Sequence, residues 1–178
     1  MTSVIITLVV FAAFIATFLA YFYRDPVRKI PQGKVVVSPA DGKVISVSKD
    51  KVWDKIVIFM NLHNVHVQRV PYEGKVVSIK RVDGKNLPAY EADAAHNKQV
   101  ITTIKTSFGN ILVKQATGLF VRRISTFIYA GEFVKRGERL GRIAFGSRVE
   151  LWLPAKRTTL VVAEGTNIFA GETVVAKL

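Results

Sequence analysis

Ser147 stands in the stretch AFGSRVE, behind Gly146 and ahead of the charged residues Arg148 and Glu150. A serine hydroxyl becomes a nucleophile when a base removes its proton, and a preceding glycine leaves the attacked carbonyl a backbone free to distort. Imidazoles are available at His63 and His66 in NLHNVHVQRVP, and a carboxylate at Asp41 in SPADGKV. Such a carboxylate can hold a histidine in its useful tautomer, as the acid of a triad does. Each element also has a plainer reading. Asp41 with Gly42 suits a turn between strands, Phe145 to Ser147 suits a turn or bulge, and a lone pair of histidines is commonly structural or solvated. At a spacing of three, His63 and His66 would share a helical face but point to opposite faces of a strand. The neighbouring valines and the proline that follows favour a strand or its lead-in bend, so the pair alone defines no metal site. His96, in EADAAHNKQ, reads as a solvated loop residue. Cysteine is absent, which excludes thiolate nucleophiles, disulfides and sulfur-bound zinc.

The elements that must position these groups fit one domain and a tail within 178 residues. The stretch from Thr2 to Tyr23 has no ionisable group apart from its tyrosines, and as a helix it would span roughly 33 Å, enough for a bilayer core. Its start carries no basic side chain, so it reads as a retained transmembrane anchor (1–23) and not as a secretory signal. Tyr21, Phe22 and Tyr23 form an interfacial aromatic belt. Arg24, Arg28, Lys29 and Lys34 follow in a proline-containing juxtamembrane linker (24–34) and place the remainder on the cytoplasmic side of the cell membrane. From residue 35 to 178 the hydrophobic period is mostly two, with β-branched and aromatic runs broken by Gly, Pro, Asn and Asp. That pattern predicts a mainly β, antiparallel domain. FGN reads as a hairpin turn and LPAYEADAAHNKQ as an irregular or briefly helical loop. GEFVKRGERLGRI from Gly131 and GTNIFAGETVVAKL from Gly165 echo one another, a pairing similar to the barrel-sandwich hairpins of lipoyl and biotinyl carriers, without the carriers' modifiable lysine in its usual setting. The net charge of +13 calls for an anionic partner. Anionic lipid suits the anchor; nucleic acid does not suit a chain whose aromatics are not interleaved with its basic residues.

Taken in order, YFYRDPVRKIP, VVSPADGKV, HNVHVQRVPYEGKV and IAFGSRVELWLP resemble the pyruvoyl-dependent phosphatidylserine decarboxylases, in the short form found in archaea and some bacteria. The resemblance covers essentially everything after the anchor. Phe145 and Arg148 stand where the long form has Leu and Thr around its Gly-Ser pair. The resemblance implies self-cleavage between Gly146 and Ser147, with Ser147 left as a pyruvoyl group at the head of the second chain. By position, His66 matches the processing base, Asp41 the carboxylate that orients it, and His63 the histidine that acts in decarboxylation as proton donor or substrate contact. It further implies a serine-headed phospholipid as substrate, an ethanolamine-headed lipid and CO2 as products, no metal, and two self-cleaved chains that stay associated; a homodimer is compatible with it. The competing reading is a non-enzymatic, membrane-tethered β-module that binds anionic lipid or a partner protein, which leaves the ordered Asp, His and Gly-Ser motifs unexplained.

Overall fold

The computed structural model describes residues 2–85, 87–88, 96–118, 123–143 and 147–178. Gly146, Phe145 and most of the loop expected before His96 lie outside the described residues. Helix α1 (Thr2–Phe22) ends one residue before the expected anchor does, and among the described residues it alone is long and apolar enough to cross a membrane. Phe22 is its one buried residue.

Strands follow in the order β1 (Val35–Val37), β2 (Gly42–Lys49), β3 (Trp53–Met60), β4 (Val67–Arg69), β5 (Gly74–Val82), β6 (Gln99–Thr106) and β7 (Gly109–Ala116). After these come β8 (Ile124–Thr126), β9 (Phe133–Val134), β10 (Arg139–Ile143), β11 (Ser147–Pro154), β12 (Thr159–Leu160), β13 (Asn167–Ile168) and β14 (Val174–Lys177). The domain is mainly β, and the ladders between these strands are antiparallel, as the period of two predicts. Two period-two runs each break into two strands around Pro39 and Pro71, because proline offers no N–H to a ladder. The expected turn at Phe108 is present: Thr106 faces Gly109 across β6 and β7, and Gly109 takes a positive φ of 127°.

An eight-stranded sheet runs β13-β2-β3-β11-β7-β6-β5-β9, flanked by β1-β14-β12 and β4-β10-β8. The large sheet has two edges and is not a closed barrel. Its order reads alike from either edge, and the residues explain why. Pro39 to Val44 and Pro71 to Val76 both follow the pattern Pro-x-acid-Gly-Lys-Val, and β2 and β5 both slip register just beyond it, after Val44 and after Val76. The hairpins seen as an echo in the sequence are equivalent too. Gly137 N–H donates to the Val70 carbonyl and Gly171 N–H to that of Ser38, both at 2.8 Å.

One unit of this pseudo-two-fold is continuous, from β4 to β10. The other is split, β1 to β3 before it and β11 to β14 after it. Where the continuous unit turns tightly from Thr106 to Gly109, the split unit leaves the sheet after Met60 and returns at Ser147, and Met60 faces Ser147 as Thr106 faces Gly109. Ser147 therefore begins a strand at the place where its counterpart has a hairpin turn. The core beneath is aliphatic, drawn from both units: Ile56, Ile58, Ile104, Ile111, Val149, Leu151 and Leu153 are all fully buried.

Candidate active site

His66 lies just before β4, the strand that pairs with β10, and its carbonyl accepts from the Ile143 N–H at 3.4 Å. The histidine is thereby held against the chain that runs from β10 toward Ser147. Its side chain is buried, and Nδ1 lies 2.9 Å from the Asn64 carbonyl oxygen. A carbonyl can only accept, so Nδ1 carries the proton and Nε2 keeps its lone pair. Burial is the main cause that drives the His66 pKa down, to about 4. The Asn64 carbonyl works against this, Arg24 adds to it, and the Asp41 and Arg142 charges act in opposite directions. The ring is neutral at physiological pH, and Nε2 has no partner among the described residues.

Ser147 is fully buried, and its Oγ likewise has no partner. Leaving a buried donor or acceptor unsatisfied costs about 1–3 kcal/mol, and among the buried atoms so left, which include Thr102 Oγ1 and Gln115 Oε1, the Ser147 hydroxyl and the His66 imidazole nitrogen are the nucleophile and the base that the sequence singles out. Beyond Ser147, Arg148 points its Nε and Nη2 at Glu150 Oε1 (3.0 and 2.9 Å), and Trp152 Nε1 donates to Glu150 Oε2 at 3.0 Å. These three alternate residues occupy the face of β11 opposite Val149, Leu151 and Leu153.

Asp41 is placed differently from what the sequence led us to expect. Its carboxylate accepts from Arg28 Nη2 at 2.9 and 3.1 Å and from the Ala170 N–H at 2.7 Å, while the His66 Nδ1 is taken by Asn64. Asp41 acts on His66 as a nearby charge and ties the segment that follows α1 to the domain. The same segment is clamped again by Asp25, which is bound to Arg69 and Arg139. His63 is exposed in the turn after β3, and its carbonyl accepts from Arg24 Nη2 at 2.6 Å and from the Tyr21 hydroxyl at 3.3 Å. It stands at the end of α1. His96 is exposed, as expected.

Three contributors were not picked out in the sequence. Phe22 packs against the His66 ring with centroids 4.2 Å apart and planes tilted by 33°, so the last residue of the apolar helix lies on the imidazole itself. Gln68 Nε2 donates to the His66 carbonyl at 2.9 Å, and Gln68 Oε1 accepts from Gln115 Nε2 at 2.9 Å. Both amides are fully buried, and Gln115 continues the inward positions Ile111 and Val113 of β7.

Fold and centre together define a β-domain with a buried serine and a neutral histidine under the end of an apolar helix. The family model described as phosphatidylserine decarboxylase matches residues 15–176, and the chain belongs to that family of decarboxylases. A phosphatidylserine decarboxylase proenzyme of Syntrophus aciditrophicus is 42% identical over 165 residues, covering 87% of this chain and 77% of the relative. One of Carboxydothermus hydrogenoformans is 37% identical over 180 residues, covering 96% and 84%. A protein of Methanococcoides burtonii, provisionally named an archaetidylserine decarboxylase proenzyme, is 41% identical over 165 residues, covering 92% and 77%.

Proposed function

We propose that this chain is a proenzyme that cleaves itself between Gly146 and Ser147 and then decarboxylates a serine-headed phospholipid at the membrane surface, its β-domain on the cytoplasmic side. The observation that supports the self-cleavage is that Ser147 Oγ and His66 Nε2 are both buried without a hydrogen-bond partner among the described residues, while the Ile143–His66 hydrogen bond ties His66 to β10, the strand that precedes Ser147 in the chain. His66 takes the hydroxyl proton, and Ser147 Oγ adds to the Gly146 carbonyl carbon. The C–N bond breaks and an ester forms, with the proton passing to the freed amine. Loss of the Ser147 α-proton then expels the Gly146 carboxylate from Cβ. Water completes the sequence, releasing ammonia and leaving a pyruvoyl group at position 147.

The site suits that group. A hydroxyl with no hydrogen bond to surrender can be consumed without stranding a partner, and the neighbouring imidazole is neutral. Once formed, the pyruvoyl group supplies an electron sink for the carboxylate's departure. His66, Met60 and the Gln68 amide would surround its base. His63, exposed at the end of α1, meets the headgroup side and serves as proton donor or substrate contact. Archaetidylserine and phosphatidylserine names occur among relatives of equal identity, 42%, and what those names share is the serine headgroup. The paired hairpins fit a barrel-sandwich ancestry, and a homodimer is compatible with this reading.

Intact-mass measurement tests the reading. The purified protein should resolve into a fragment ending at Gly146 and a fragment 147–178 that begins with a carbonyl in place of an amine. Ser147→Ala should stay one chain. Full decarboxylase activity in an uncut wild-type chain would refute the proposal. His63→Ala should cut normally and turn over poorly, and normal turnover would remove its assigned role.

A further inference from the structure

Arg142 is the residue before Ile143, whose N–H holds the His66 carbonyl, and in the β4–β10 ladder it faces Val67, the residue after His66. It is half-buried and, among the described residues, forms no ion pair with a carboxylate, in contrast to Arg28, Arg69, Arg136, Arg139 and Arg148. Its guanidinium carbon lies 5.3 Å from the Tyr23 ring centroid and 6.0 Å from that of Phe127. Ring contacts engage the face of a guanidinium and leave its in-plane N–H groups free to donate. With Asp25, Phe127 and Arg139, Arg142 lines a cavity of about 450 Å³. The one carboxylate there, Asp25, is already bound through both oxygens to Arg69 and Arg139, so Arg142 supplies the uncompensated charge. Tyr23 directly follows α1, which sets this cavity at the level where the apolar helix leaves the hydrocarbon.

A serine headgroup presents one anion at this level besides its carboxylate: the phosphodiester, only a few bonds from the serine α-carbon. A planar fork with free donors, beside the reactive centre, matches two phosphate oxygens. The geometry points to Arg142 as the seat of the headgroup phosphodiester, with Arg139 beside it, so that the lipid is held by its phosphate while its serine reaches Ser147. This rests on the decarboxylase reading and adds a binding site to it.

The experiment uses the full-length protein in neutral detergent micelles, so that bulk attraction to an anionic surface does not contribute. Intact mass first establishes that Arg142→Gln has folded and cleaved. For dispersed short-chain phosphatidylserine, KM in Arg142→Gln should rise about 10- to 100-fold, the usual loss for a charged hydrogen-bonded contact, with kcat within about twofold. Arg142→Lys, a point charge without the fork, should fall between. Separately, the uncut Ser147→Ala chain should bind glycerophosphoserine more tightly than free serine, and adding Arg142→Gln should erase that preference. Inorganic phosphate competing as well as glycerophosphoserine would show an adventitious anion site and overturn the assignment, as would an unchanged KM in a cleaved Arg142→Gln. Loss of binding to phosphatidylglycerol vesicles with an unchanged KM would make Arg142 a general lipid contact, which also overturns it. A wild type that neither cleaves nor decarboxylates sinks the decarboxylase reading, yet the glycerophosphoserine preference still tests the phosphate seat independently.

Discussion

The proposed chemistry turns on how burial treats two small groups. His66 is kept neutral because its charged form would be stripped of water, and its tautomer is fixed by a carbonyl and not by a carboxylate. Self-cleavage should therefore persist well into acid, with its rate falling near pH 4 and not near the ordinary histidine value of 6.5. Stopped time courses of fragment formation across pH 3.5–8 check this; an acid limb centred on pH 6–7 would contradict it. The same shift bears on stability. An unfolded chain whose imidazole titrates near 6.5 binds more protons than the folded one between that value and about 4, so this contribution is whole above pH 6.5 and lost as pH falls toward 4. Asp41 gives a second test at this scale. If it acts by clamping the segment after α1, Arg28→Ala should slow cleavage at least as much as Asp41→Ala does, because Arg28→Ala strips the buried Asp41 carboxylate of its cation, a loss of about 3–5 kcal/mol, whereas Asp41→Ala leaves Arg28 paired with Glu172 at 3.5 Å. Slow cleavage in Asp41→Ala alone would instead return Asp41 to the role of direct orienter of His66.

At the scale of elements, α1 is part of the site's packing, since its last residue is buried against the imidazole. Phe22→Ala should open a cavity beside His66, cost about 3–5 kcal/mol of local packing and slow cleavage, with Phe22→Leu recovering most of the loss. An unaltered cleavage rate in Phe22→Ala would mean the contact is incidental. The repeated glycines are equally specific. A Cβ at Gly42 would sit 2.2 Å from the Phe59 carbonyl oxygen, and at Gly74 2.4 Å from that of Lys105, whereas at Gly131 it meets nothing within 4 Å. Gly42→Ala and Gly74→Ala should each lower the melting temperature by about 3–10 °C, more than Gly131→Ala, as thermal unfolding would show. These elements also mark how far the sequence could be read. The strands, the apolar helix, the turn at Gly109 and the hairpin echo follow from local spacing, so they were legible. The larger duplication was present in Pro39 to Val44 and Pro71 to Val76, yet the split unit hides it, because its halves lie on either side of the continuous one. Ser147 and His66 were marked by motif. The Gln68–Gln115 bridge, the Phe22 contact and the Arg28 clamp on Asp41 were not, because each joins residues distant in the chain whose contact exists only after the sheets assemble.

For the molecule as a whole, the insertion of one unit into the other decides what cleavage can do. The bond proposed to break lies where the split unit resumes, so cutting it severs no strand pairing: β11 stays between β3 and β7, with Val149, Leu151 and Leu153 fully buried. The small fragment also supplies β12, β13 and β14, and β13 forms one edge of the eight-stranded sheet. Release of that piece would expose two ladders and the centre of the core together, so the fragments behave as one cooperative domain. Cleaved protein should therefore elute as a single species on native size exclusion even after extensive dilution, and separate into two chains only across the same denaturant transition that unfolds the β-domain. Dissociation of fragment 147–178 under native conditions would show that β11 is not held at the middle of the sheet, and the pairing that keeps residue 147 opposite Met60 would go with it.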